Sequence, residues 1–567
     1  MTARFPTMSE YGIAGRSLTA CMMAAALLIG PTESLSGGEA KPERTGFTIG
    51  IEMPCQVPAM PAVEAAMRDI GIQYFNYYVK PWAATPEKES VAANKAMLEF
   101  ADRLNIPFSL ACYVVNPPDE CVKTAKERKE RFRGIVFDEL EHCRQLNPHE
   151  GTPTFADPKK LTNLNEAYEQ TLAGYKALRD QYAAQEIQCV ATHVFPVLHH
   201  VSARAGFIPC PKIQKEFYST VSLAVAMGAA LQYGRDLWVD CDLWYYDLVP
   251  GHPPEELWSN MLLAYWLGAD AFYLEGCGHN LTPVGRQGIP FSLMTQVTPE
   301  IYQLTAHGET LRRFIREYLP SHPRSWTFRD AKPTIAVVRF PDSDYGQHFQ
   351  YVKDPNLPPG KLEWHAGLYG SPNIPSNEDT QAWFDLWNLL TAGATGRDGI
   401  SFFKCTVAAS GYERPVKADQ VQSLYSRPVQ AASHRFFVPM NNVVVFDHLV
   451  EYERLRDIPL IVLTGVEISV ETMKAVSRRA EEGATVLIWG NLAKKLGFDD
   501  YAGGVREIPS GKGRFVLTDE FTSNEVFQKV WMFMGHPDEI RYRFGGNVVT
   551  LKRITDNTIN VDISAGQ

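Results

Sequence analysis

The segment FSLACYVVNPPDECVKTAKERKERFRGIVF, residues 108–137, holds two short apolar runs separated by a charged one. Phe108–Tyr113 and Gly134–Phe137 have the length of buried strands and are bounded by Pro, Asn and Gly. Cys121–Phe132 reads as a charged surface helix between them. A strand–helix–strand unit pairs its two strands side by side and parallel, because the helix carries the chain back across the sheet.

The same alternation extends in both directions. Upstream, Thr48–Ile51 reads as a strand before the helix Ala62–Ile70, and Gln73–Tyr78 as a strand before the helix Val91–Leu104. Downstream come the helix Leu164–Tyr182, the strand Ile187–Thr192 and the helix Ile213–Leu231. The strand Leu237–Asp240, the helix Pro254–Leu267 and the strand Ala271–Leu274 follow. These are seven strands, and an eighth is expected at Phe291–Val297, before a helix over Ile301–Tyr318. Eight units of roughly 30 residues close a barrel of about 250. The expected fold class is therefore α/β, with a (β/α)8 TIM barrel over residues 45–325. An open doubly wound sheet is the alternative. However, Ile51-Glu52-Met53-Pro54 replaces a Gly-rich phosphate loop after the first strand, so no nucleotide site is expected there.

The pattern breaks at Leu319–Lys332 (LPSHPRSWTFRDAK), where Pro and basic residues mark a boundary. A second α/β domain is expected over 331–535. Its clearest unit is Pro459–Gly465 and Gly483–Gly490, two apolar strands separated by the helix Val470–Glu482. Residues 536–567 alternate around Gly545-Gly546 and Asp556-Asn557, as antiparallel hairpins do.

Composition limits the function. The 567 residues carry 55 Lys+Arg against 65 Asp+Glu, a net −10, which lacks the basic face of a nucleic-acid binder. Residues 1–36 read as a signal peptide. Arg4 and Arg16 precede the apolar run Leu18–Gly30, and Ser34-Leu35-Ser36 offers a small-x-small cleavage site. No later run reaches the ~18 apolar residues of a membrane span, so an exported chain, periplasmic or secreted, is expected. Removing Cys21 with the signal leaves nine of the ten Cys, an odd number with no CxxC spacing. They read as small buried hydrophobes, not as a disulfide framework or a metal site.

In a barrel, chemistry sits at the carboxyl ends of the strands. Glu52 follows the first strand, Asp138-Glu139 the fourth and His193 the fifth. Asp240-Cys241-Asp242-Leu243-Trp244-Tyr245-Tyr246 follows the sixth in this count, and Glu275-Gly276-Cys277-Gly278-His279-Asn280 the seventh. Two carboxyl groups flanking a sugar can cleave a glycosidic bond, about 5 Å apart when stereochemistry is retained. Glu139 and Glu275 are the candidate catalytic pair. Glu52, Trp82, Asp138, His193, Asp242, Trp244, Tyr246 and Asn280 are candidate substrate contacts, the aromatics because an apolar sugar face packs on a ring. Of Asp240 and Asp242, at most one is expected to face the pocket. Glu141 and His142 are expected behind the site. His199-His200 has no carboxylate at ligand spacing, so neither a metal nor a cofactor is expected.

This layout resembles glycoside hydrolase clan A, barrels whose acid/base Glu ends strand four and whose nucleophile Glu ends strand seven. The helix Gly308–Leu319 (GETLRRFIREYL), the run Pro333–Phe340 and the paired strands of the second domain are similar to the flavodoxin-type, glutamine-amidotransferase-like domain of family 42 β-galactosidases. The resemblance implies Glu139 as acid/base and Glu275 as nucleophile, with Asp138 where the clan usually carries Asn. The expectation is an exported retaining glycoside hydrolase acting on an oligo- or polysaccharide. The alternatives are an inactive carbohydrate-binding barrel and a metal-assisted barrel hydrolase. The second domain lacks a Cys nucleophile elbow around Cys405 and reads as structural, a support for a homo-oligomer.

Overall fold

The computed structural model describes residues 46–53, 61–80, 85–113, 115–146, 153–214, 217–242, 252–275, 293–344, 367–397 and 437–566. Eight parallel strands close a barrel: β1 (Thr48–Met53), β2 (Tyr74–Lys80), β3 (Phe108–Cys112), β4 (Phe132–Phe137), β5 (Cys189–His193), β6 (Ile208–Ile213), β7 (Trp238–Asp242) and β8 (Ala271–Glu275). Closure is direct, since Thr48–Ile51 of β1 register against Ala271–Leu274 of β8.

Two expectations need correction. Phe291–Val297 is not a barrel strand: β9 (Met294–Gln296) pairs antiparallel with β10 (Tyr302–Leu304) in a separate two-stranded sheet. The strand missing from the sequence count is β6, whose IPCPKI carries Pro209 and Pro211. Proline cannot donate to a ladder, so such a run reads as a loop. Ile213, expected to open a helix, ends this strand, and the helix begins at Ser219. Every later barrel strand moves up by one, so Asp240 and Asp242 lie on strand seven and Glu275 ends strand eight.

The helices α1 (Pro61–Ile70), α2 (Glu87–Leu104), α3 (Asp119–Lys126), α4 (Leu164–Ala183), α5 (His199–Ala205), α6 (Ser219–Tyr233), α7 (Pro254–Trp266) and α8 (Ala306–Arg313) follow in chain order. In α4 the Asn163 side chain accepts from the Glu166 amide, capping the first turn, and Ala167, Tyr168, Thr171, Leu172, Tyr175, Leu178 and Tyr182 form one buried stripe.

The barrel interior is a separate apolar cluster of Tyr74, Ala111, Val136, Val190, Ile208, Cys210, Trp238, Ala271 and Tyr273. Trp238 meets Tyr74 edge-on with centroids 5.4 Å apart. Gly50 leaves room for Tyr74; a Cβ there would stand 2.4 Å from Tyr74 Cδ1. This plug fills the barrel beneath the carboxyl-terminal mouth.

The second sheet has the order β13 (Val443–Asp447), β11 (Ile335–Arg339), β14 (Leu460–Thr464), β15 (Thr485–Trp489), β17 (Gly513–Thr518), β16 (Arg506–Ser510). The first five are parallel, in the 2-1-3-4-5 order of flavodoxin-like sheets, and β16 is antiparallel. A third sheet places β12 (Met440–Asn441) beside β18 (Glu539–Phe544), β19 (Asn547–Arg553) and β20 (Ile559–Ala565), the last three antiparallel.

The barrel covers the open edge of the second sheet. Gly228 of α6 lies so close to β13 that a Cβ would stand 1.6 Å from the Val445 carbonyl oxygen. His200 Nε2 donates to that same oxygen at 2.9 Å, and Gln232 Nε2 to Asp447 at 2.6 Å. This packing explains why α6 is apolar nearly all round: one side faces the barrel and the other faces an edge strand.

Candidate active site

Side chains alternate across a strand, so Val136 and Asp138 share the inner face of the barrel, as do Ile208, Cys210 and Lys212. The inner faces of β4, β6 and β8 converge at the mouth. There the Lys212 ammonium lies 2.8 Å from Asp138 Oδ1, 3.0 Å from Glu139 Oε1 and 2.5 Å from Glu275 Oε2. The ammonium thus stands within ion-pair distance of three buried carboxylates and donates a hydrogen bond to Glu139 Oε1. One oxygen from each of Asp138, Glu139 and Glu275 lies within 4.8 Å of the others.

Asp138 and Glu139 are each held from several directions. Asp138 Oδ2 accepts from the Tyr78 hydroxyl at 2.5 Å, and Oδ1 from Thr192 Oγ1 at 2.8 Å. Glu139 Oε2 accepts from the Tyr113 hydroxyl at 3.2 Å. The Glu139 amide donates to Thr192 Oγ1 at 3.1 Å, so Thr192 ties both acids to β5. Glu139 has φ 47°, in the left-handed region that side chains other than glycine rarely occupy. Non-glycine strain of this kind concentrates at functional sites.

The electrostatics follow from crowding in a dry place. Burial raises the Asp138 carboxyl above its ordinary range; Lys212 opposes this, while Glu275 and Glu139 reinforce it. Asp240, paired in register with Lys212, is pushed well above its range by burial and then by Glu275. Burial works against the Lys212 charge, but Asp138, Glu139 and Glu275 outweigh it and hold the ammonium firmly protonated. A lysine nucleophile needs the opposite, a depressed pKa that frees its amine, so Lys212 acts as a fixed cation. The three acids have the oxygen donor set of a hard metal ion, and Lys212 supplies the positive charge within their reach.

Of the residues expected at the site, Glu52, Asp138, Glu139, Asp242 and Glu275 gather at the mouth. Glu52 ends β1 in the register that puts it opposite Asn76, and Asp242 pairs with Glu275. The expectation that only one of Asp240 and Asp242 faces inward is corrected. Two residues apart on β7, they share a face, and their register partners Tyr273 and Glu275 both face the interior.

His193 is also corrected as a substrate contact. It is fully buried on the outer face of β5, with Nδ1 2.5 Å from Glu141 Oε2 and Nε2 3.1 Å from Ser202 Oγ. Glu141 Oε1 accepts from the Val194 and Phe195 amides at 2.7 and 3.1 Å, so this pair pins the turn after β5. His199 packs edge-on against His193, and burial lowers its pKa well below the usual range. Trp82, Trp244, Tyr246 and Asn280 lie outside the described residues.

Lys212, like the supporting hydroxyls of Tyr78, Tyr113 and Thr192, was not among the residues expected at the site. Its signal was a lone lysine in an apolar run, two residues beyond Cys210 and so on the same strand face. The prolines that hid β6 hid it too.

No protein-family model matches the chain, and comparison with curated proteins finds no match. Among solved structures, it is similar to an exo-β-1,4-mannosidase from Opitutaceae bacterium strain TAV5, at 10% identity and TM-score 0.45, over 86% of this chain and 94% of that one. A glycoside hydrolase family 30 subfamily 8 xylanase from Clostridium acetobutylicum aligns at 11% identity and TM-score 0.31, over 47% of this chain and 70% of that one. A truncated 3-deoxy-D-arabino-heptulosonate 7-phosphate synthase from Thermotoga maritima aligns at 11% identity and TM-score 0.25, over 48% and 87%. The architecture rests on the chain's own strand pairing, and barrels of this kind host unrelated chemistries.

Proposed function

We propose that this chain is a glycoside hydrolase that cleaves by a retaining mechanism with Glu139 as acid/base and Glu275 as nucleophile. The observation that carries the reading is the clustering of oxygens from the two glutamates and Asp138 within 4.8 Å at the barrel mouth. Retaining glycosidases separate their two carboxyl groups by about 5–5.5 Å, whereas inverting enzymes leave about 6.5–9.5 Å for a water. In the first step a Glu275 oxygen bonds to the anomeric carbon. The bond from that carbon to the leaving oxygen breaks, and that oxygen takes the proton of Glu139. In the second step water attacks the same carbon, returns a proton to Glu139 and releases Glu275. The substrate is a carbohydrate, and the N-terminal pattern fits an exported enzyme.

The carboxylate cluster supports the pair, and the division of roles between Glu139 and Glu275 is what the family resemblance implies. Clan A carries its nucleophile on strand seven; here strand seven ends in Asp242, beside Glu275 on strand eight. A second reading, sugar binding without cleavage, is favoured by Lys212, whose ammonium contacts both glutamates.

The test is a screen of polysaccharides and activated aryl glycosides with wild type, Glu275→Gln and Glu139→Ala. Loss of turnover in Glu275→Gln is expected. A fall of about 10²- to 10⁴-fold in Glu139→Ala on substrates with poor leaving groups is also expected. Full turnover in Glu275→Gln sinks the mechanism. Glycan binding with no cleavage selects the second reading, and loss of activity on chelation selects a metal-assisted one.

A further inference from the structure

We infer that Lys212 is the positioning residue of this reaction, a single ammonium shared by the group that gives up negative charge and the group that receives it. The inference rests on the retaining two-glutamate reading. When Glu275 forms its bond to the sugar, its negative charge is consumed. At the same moment Glu139 loses its proton to the leaving oxygen and becomes the anion. Both oxygens already contact the same nitrogen, at 2.5 and 3.0 Å. Charge therefore moves between two ligands of a cation that need not move. An environment oriented before the reaction begins avoids the reorganisation cost that water imposes.

The geometry supports a fixed cation. Lys212 is fully buried, and its third contact, Asp138, is itself held by Tyr78 and Thr192. The stem of Lys212 rises from β6 beside Cys210, above the apolar plug. The titratable groups facing the ammonium are Tyr78 from β2, Asp138 and Glu139 from the end of β4, Cys210 from β6, Asp240 from β7 and Glu275 from β8, with Glu52 of β1 acting on Tyr78 and Asp240. No second lysine or arginine lies within ion-pair distance of Asp138 among the described residues. Removing Lys212 thus leaves that acid with hydroxyl donors alone.

The experiment compares wild type, Lys212→Met and Lys212→Arg in the full chain, with two readouts. The first is the pH profile of kcat/KM on an aryl glycoside that wild type cleaves. An opposite charge within about 4–6 Å moves a carboxyl by 1–3 pH units. The acidic limb of Lys212→Met should therefore rise by about one unit or more, while Lys212→Arg, which keeps the charge, should hold it near wild type. A merely structural lysine lowers the rate without moving the limb, and an unmoved limb in Lys212→Met overturns the inference.

The second readout needs no substrate. The melting temperature lost in Lys212→Met should be larger at pH 8 than at pH 5, because the buried Asp138 without its cation is costlier to keep ionised than to protonate. An equal loss at both values overturns the inference, whatever the activity. If Lys212→Met does not fold, Lys212→Arg carries the test, and a shifted acidic limb there counts against it. Failure of the parent reading looks different: Glu275→Gln keeps its turnover.

Discussion

Glu139 offers a test that separates strain from charge. Its φ of 47° costs a side-chain-bearing residue about 1–2 kcal/mol. The backbone cannot relax easily, since the Glu139 amide donates to Thr192 Oγ1 and its carbonyl accepts from the Cys143 amide at 2.8 Å. Glu139→Ala removes the contacts to Lys212 and Tyr113 but keeps the strained conformation. Glu139→Gly removes the same contacts and relieves the strain, at the cost of about 0.5–1 kcal/mol in the freedom of the unfolded chain. The difference leaves the glycine variant more stable than the alanine variant by roughly 0.5–1 kcal/mol. Equilibrium urea unfolding, followed by circular dichroism, should show this as a midpoint higher by a few tenths molar. Both variants should lack acid/base activity, so stability and function separate. If the alanine variant is as stable as the glycine variant or more so, the left-handed backbone carries no stored strain, and the argument that function maintains it fails.

Other outcomes follow from burial and close packing. Asp240→Asn should fold normally, and its stability should gain on wild type as pH rises above about 4. The reason is that the native Asp240 carboxyl holds its proton to higher pH than in the unfolded chain. Native stability thus falls as pH rises through the interval between the two values, and a pH-independent difference between the proteins counts against a neutral buried acid. Gly228→Ala should weaken the docking of the second domain, because a Cβ 1.6 Å from the Val445 oxygen forces α6 and β13 apart. Limited proteolysis should then cut between the domains faster than in wild type, and an unchanged digestion pattern contradicts the close approach.

Much of the architecture was legible in the sequence because it depends on local periodicity. The barrel strands are short, largely apolar runs buried on both faces, and the helices between them, such as Leu164–Ala183, carry a buried stripe at helical spacing. The paired runs at Leu460–Thr464 and Thr485–Trp489, buried at every position, have the same apolar character in the second domain. The acids at strand ends were legible too, because a carboxylate just past an apolar run has few places to go except the barrel mouth.

Other features needed the tertiary structure. β6 is a barrel strand despite Pro209 and Pro211: it registers with β5 from Ile208 to Pro211 and with β7 at Lys212 and Ile213, which no local pattern reveals. That one strand fixes the strand count, and so places Glu275 on the eighth strand. His193 shares its strand with Thr192, yet one faces the helices and the other the interior; the outcome depends on barrel closure as well as strand parity. Above all, the partnership of Lys212 with acids 73, 74 and 63 residues away in sequence comes from the convergence of β4, β6 and β8 on one axis. Sequence by itself determined which elements form and which ends carry charge. Only the closed barrel, which brings distant strand ends within a few ångströms in a dry interior, decided which charges meet.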